Sequence, residues 1–204
     1  MKFVWVMVCA LAFASIANAG ADISAFKDSR NGMTYKVVKI GDLQWMAENL
    51  NYETKKESWC LEGKPENCCK YGRFYYREAA MKACPAGWHL PSKIEFEYLV
   101  ALTGGIHDDN RDFLWIRGAY SLKSSSGWED DRNGTDEFGF NAIPTGYYHG
   151  GFADFEDTTS KAGFWSSSEH NYNTAFYMSF DSSNKNAKID NLDKINGYSI
   201  RCVR

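Results

Sequence analysis

The sequence predicts a loop-rich α+β or mostly β domain outside the cytoplasm, and three observations point there. The start of the chain, with Lys2, an apolar run from Phe3 to Ala14 and "ANA" ending at Ala19, has the layout of a cleaved export signal. Five cysteines follow it: Cys60, Cys68, Cys69, Cys84 and Cys202. In an exported chain they are expected to form disulfides. Aromatic residues make up 16% of the chain, and short polar turns separate β-favouring runs while helix-favouring runs are few.

The expected organisation is therefore a signal peptide over 1–19 and a single domain over 20–204. The apolar run is too short to span a bilayer and no later stretch is apolar enough, so no transmembrane anchor is expected. Secretion to the extracellular space or cell surface is the expected fate, with the periplasm as the alternative. The formal net charge is −3, and losing Lys2 makes it one unit more negative. With those acids spread along the chain there is no basic face for nucleic acid.

The elements follow in order. "FKDSRNGMTYKVVKIGDLQWMAENL" reads as a turn at Asn31-Gly32, a strand over Met33 to Ile40, a reversal at Gly41-Asp42 and a strand over Leu43 to Met46. "NYETKKESWCLEGKPENCCKYG" reads as a polar loop, in which Cys60 and Cys68 bracket a tip with Gly63 and Pro65. A helix over Arg77 to Ala83 is halted by Pro85. A second opens on Ser92 with Glu95 three residues on, a capping box, and ends at Gly104-Gly105. Ile94, Tyr98, Leu99 and Leu102 recur at helical spacing and are expected to share its buried face.

Beyond Gly105 the pattern is strands and long loops. "FGFNAIPTGYYHG", "GFWSSS" and "TAFYMSFD" read as strands, the last with Phe176, Met178 and Phe180 on one face. "GYSIRCVR" closes the chain with Tyr198, Ile200 and Cys202 on one side.

Catalytic signatures are absent: there is no nucleophile elbow, no phosphate-cradling glycine loop and no His-Glu-x-x-His. No cofactor is expected. His89, His107, His149 and His170 are scattered singly, without metal-ligand spacing. Asp130, Asp131, Asn133, Asp136 and Glu137 carry oxygen donors of the kind calcium takes, but their spacing fits a solvated turn better. The aromatics of the C-terminal half are more suggestive. Tyr147, Tyr148, His149 and Tyr172 lie in or beside expected loops rich in glycine and amides, with Glu169 as a polar anchor, and such surfaces suit sugars or peptides. Trp165 is expected in the core.

The ordered motifs "SRNGMTYKVVKIGDLQWMAENLNYET", "NCCKYGRFYYREAAMKACPAGWHLPSKIEFEYL", "NGTDEFGFNAIPTGYY", "GFWSSSE" and "NGYSIRCVR" resemble the Fibrobacter succinogenes major paralogous domain. That family is similar to the C-type-lectin-like and formylglycine-generating-enzyme-like superfamily. "WHLPSKIEFEYL" resembles the helix, and "GYSIRCVR" the closing strand, of the formylglycine group. The resemblance implies two helices toward the N-terminal half, small twisted antiparallel sheets, a long loop region and paired terminal strands. It also implies bridges Cys84–Cys202 and Cys60–Cys68. Cys69 departs from the family pattern and is expected to be a free thiol or to join two chains in a disulfide-linked dimer. The C-terminal half lacks the paired catalytic cysteines of the formylglycine enzymes and the calcium-lectin signatures. The implied function is a non-catalytic domain binding a polysaccharide or a cell-surface protein, or building a surface structure. The alternative is an exported enzyme acting on polysaccharide or cell-wall material.

Overall fold

The computed structural model of the protein describes residues 23–204. The expected signal peptide, 1–19, lies outside the described residues. The chain opens with a meander of three antiparallel strands, β1 (Ile23–Lys27), β2 (Thr34–Ile40) and β3 (Leu43–Met46). The turn at Asn31-Gly32 falls where expected. Asn31 Oδ1 accepts from the Met33 amide, Gly32 takes φ +76°, and the buried Asp28 carboxylate holds the Arg30 side chain. β1 was not expected. β2 is buried on both faces, with Tyr35 and Val37 in one core and Val38 and Ile40 in the other.

The segment expected as a polar loop is ordered instead. It contains β4 (Ser58–Trp59), a 3-10 turn over Leu61–Gly63 and α1 (Pro65–Tyr71). Pro65 sits in the first turn of α1, where a missing N–H costs nothing. The Cys60–Cys68 disulfide clamps α1 to β4. Cys69 is disulfide-bonded too, and no described cysteine is a free thiol, which corrects that expectation.

After β5 (Phe74–Tyr76) come α2 (Arg77–Ala83), with the expected bounds, and α3 (Lys93–Leu102), with the full Ser92/Glu95 capping box. The buried face of α3 differs from the expected one. It is Phe96, Leu99 and Val100, whereas Ile94 is 74% exposed and Tyr98 and Leu102 are also exposed. Both sets recur at helical spacing, because α3 carries more than one apolar stripe. Tyr98 and Leu102 lie over the β2–β3 turn, where a side chain at Gly41 would collide with them.

The remaining strands are β6 (Ile106–His107), β7 (Leu114–Ile116), β8 (Tyr147–His149), β9 (Asp154–Glu156), β10 (Lys161–Glu169), β11 (Thr174–Asp181), β12 (Ala187–Asp193) and β13 (Gly197–Tyr198). They form two five-stranded sheets, ordered β10-β11-β12-β7-β6 and β4-β5-β13-β8-β9. Only the end of "FGFNAIPTGYYHG" is a strand. Gly139, Asn141 and Gly146 take positive φ and break the run before it.

Two cores result. One lies between α3 and the face of β10–β12 that carries Phe164, Met178, Phe180 and Ile189. The other gathers α2, β5, the last strand and Trp165, which is fully buried as expected. The C-terminal residues lie along β3. Met46 donates to the Cys202 carbonyl, and Arg204 and Gln44 exchange backbone hydrogen bonds. Cys84, just beyond α2, bridges to Cys202.

Candidate functional site

The alternation of β11 has two outcomes. Its Met178 and Phe180 side enters the core, and its other side presents Tyr177 and Ser179. β10 and β12 add Lys161 and Lys188 to that second side. β8 and β13 pass in front of it, leaving a cleft of about 240 Å³.

One wall of the cleft is aromatic. Tyr147 stacks on Tyr198 with centroids 5.3 Å apart and planes 11° apart, and Tyr177 packs on Tyr198 at 5.2 Å. Tyr198 also meets Trp165 edge-on at 5.1 Å. This stack depends on Gly163, since any β-carbon there would run into the Tyr198 ring. Burial pushes the Tyr198 and Tyr177 hydroxyls up. Burial, and donation to Glu156 Oε2 at 2.7 Å, push the Tyr147 hydroxyl up as well. All three phenols are therefore neutral at physiological pH.

The other wall is polar and held in place. Asn186 Oδ1 accepts from the Arg117 amide (2.9 Å), and Asn196 Oδ1 accepts from the Gly150 amide (3.1 Å). With those oxygens engaged, the orientation of each NH2 donor is set. Burial works against the Asp181 carboxylate, but hydrogen bonds from Ser183 and the charges of Lys161 and Lys188 bring its pKa below the usual range. Lys161 pairs with Asp157 at 2.6 Å.

The structure divides the residues expected to form one surface. Tyr147 and His149 line the cleft. Tyr148, one residue away on the strand, faces the opposite side and stacks on Trp59 at 4.9 Å, with Phe155 edge-on at 5.3 Å. These three lie in β8 and are half-buried, not in a loop. Tyr172 and Glu169 lie elsewhere, on the β10–β11 turn, in a shallow trough of about 620 Å³. Tyr177, Ser179, Lys161, Lys188, Asn186 and Asn196 were missed. The β11 alternation that puts Phe176, Met178 and Phe180 on one face also points Tyr177 and Ser179 the other way. The acidic loop is organised by the fold: Asp136 Oδ1 accepts from the Asn141 amide at 2.6 Å, while Asp130 and Asp131 lie exposed in a 3-10 turn. Among the described residues no cluster of His, Cys, Asp and Glu is placed to hold a metal ion.

Fold and site together define a disulfide-tied, mixed helix-and-sheet domain with small antiparallel sheets and an aromatic-walled cleft between two of them. Residues 38–204 match the model of the Fibrobacter succinogenes major domain, and the chain belongs to that family. No curated protein and no solved structure matches it.

Proposed function

We propose that the protein is an exported, non-catalytic domain of C-type-lectin-like architecture that binds a glycan in the cleft between β8 and β11. The observation that carries this reading is the pairing of a stack of neutral tyrosines with oriented amide donors and nearby hydroxyl and ammonium groups. A sugar offers an apolar face to rings and a rim of hydroxyls to such donors. The cleft lies below the ~300–1,000 Å³ range of small-molecule sites, so it suits a terminal ring or two rather than the interior of a polymer. Pairing of residues 202–204 with β3, the Cys84–Cys202 bridge and the long irregular stretch over 117–146 support the lectin-like architecture. The leader pattern and the disulfides support export.

The test is a screen of polysaccharides and cell-wall glycans on the oxidised protein, followed by calorimetry on whichever binds. Lys188→Ala and Ser179→Ala each remove one donor at the rim, and each is expected to weaken binding by about tenfold, the worth of one such hydrogen bond. Neither is expected to change the melting temperature. Affinity unmoved by both changes, or no glycan bound at all, refutes the reading. Release of new reducing ends from a polysaccharide, abolished by Asp181→Asn, would replace it with the enzymatic alternative.

A further inference from the structure

The trough around Tyr172 is separate from the glycan cleft and has a different chemistry. Tyr172 is 92% exposed, yet its backbone is fixed. Asn171 Oδ1 accepts from the amides of Asn173 and Thr174, and Lys194 Nζ donates to the Tyr172 carbonyl at 3.0 Å. The ring is thus held out into water on a rigid turn, which lowers the ordering cost of any contact it makes. Beside it Ile195 is 58% exposed. The trough continues into a second depression of about 420 Å³ that shares Glu78, Lys194 and Ile195 with the first and reaches Tyr76 and Glu57.

The charges along this path have one sign in excess. Lys194 is the cation lining it, and Glu169 neutralises it at 3.1 Å. Glu57, Glu78 and Asp193 remain, none of them in an ion pair among the described residues. They are spaced too widely to share one metal ion, since no described acidic cluster is placed to hold one. Carboxylates at intervals along an elongated, partly apolar path complement cations carried at intervals on a chain. Glu57 also takes φ +68°, a strained conformation for this residue, at the far end of the path.

We propose that this trough receives an extended, basic polypeptide segment of a partner protein, with Tyr172 and Ile195 as apolar anchors and Glu57, Glu78 and Asp193 as acceptors for its lysine or arginine side chains. The probe is a short peptide alternating lysine with leucine, compared with its counterpart in which glutamate replaces lysine. Titration into the intact oxidised protein, followed by amide NMR shifts and calorimetry, is expected to show the lysine peptide alone binding. Shifts should centre on Tyr172, Lys194 and Ile195, and binding should weaken steeply from about 50 to about 500 mM salt. Tyr172→Ala, and separately the double change Glu78→Gln with Asp193→Asn, are expected to reduce affinity by about tenfold or more. All three side chains are at the surface, so the variants are expected to fold as the wild type does, and their amide spectra will show it. The proposal is overturned if neither peptide binds, if the glutamate peptide binds equally well, or if the shifts fall outside the trough. It is also overturned if a neutral glycan displaces the peptide, or if both variants retain full affinity.

Discussion

Arg201 is fully buried, with no carboxylate within ion-pair reach among the described residues. Its guanidinium is held by the Asn49 side chain at 2.7 Å, by the carbonyls of Met46, Phe140 and Asn141, and by the ring faces of Phe140 and Phe164. Burial drags its pKa down to about 9, while Glu48 and Asp136 act on it only through longer-range attraction. Asp136 carries a pH signature of its own. Burial raises its pKa to about 6 from the usual 3.8, against the opposing pull of the Asn141 amide and Arg201. A carboxyl raised in this way holds its proton more firmly folded than unfolded. Its contribution to stability is therefore complete below about pH 4 and lost as pH climbs through 6. Asp136→Asn keeps the acceptor for Asn141 and cannot ionise. Melting curves are expected to coincide for variant and wild type at pH 4 and to separate between pH 4 and 6. At pH 7 the variant should be more stable by about 1 kcal/mol, allowing for partial solvent screening. A gap independent of pH would show that Asp136 ionises in the fold as it does in the unfolded chain.

At the scale of elements, α3 separates what could be read from the sequence from what could not. Its start was legible, because the Ser92/Glu95 capping box is a local signal whose hydrogen bonds stay within one turn. Its buried stripe was not, because which apolar stripe faces inward depends on the sheet it meets. Phe96→Ala is expected to cost about 3–5 kcal/mol, and Ile94→Gln to stay within about 0.5 kcal/mol of wild type, as chemical denaturation will measure. The reverse order would mean that α3 is rotated on the sheet. The same distinction runs through the candidate site. Tyr147 and His149 could be found because they stand out locally. Ser179, Lys188 and Asn196 could not, because the cleft exists only where strands far apart in sequence pass each other. α1 was hidden for another reason: "PENCCKY" lacks an apolar repeat, and this short helix is secured by a disulfide.

At the scale of the whole molecule, the two described bridges close loops of very different length, with sequence separations of 8 for Cys60–Cys68 and 118 for Cys84–Cys202. In the chain-entropy model the long loop contributes about 4–5 kcal/mol and the short one about 2–3 kcal/mol. Cys202→Ser is expected to lower the melting temperature more than Cys60→Ser, and scanning calorimetry of both variants will rank them. An equal loss would show that strain or residual structure in the unfolded chain outweighs loop length. Apart from these bridges, the closing strand shares its chain ends' work with β3 and with Asn49, through hydrogen bonds between residues 152 to 160 positions apart.

The docking of residues 202–204 on β3 has a consequence for how the protein folds. Ile200 and Cys202 belong to one core and Val203 to the other, so neither core is complete until residues 200–203 have docked. A chain in which those residues have not yet docked leaves apolar side chains of β2 and β3 partly uncovered. Contacts between such distant residues form slowly, since a long loop must close before any of them is rewarded. Both cores are therefore expected to close together, as residues 202–204 dock on β3.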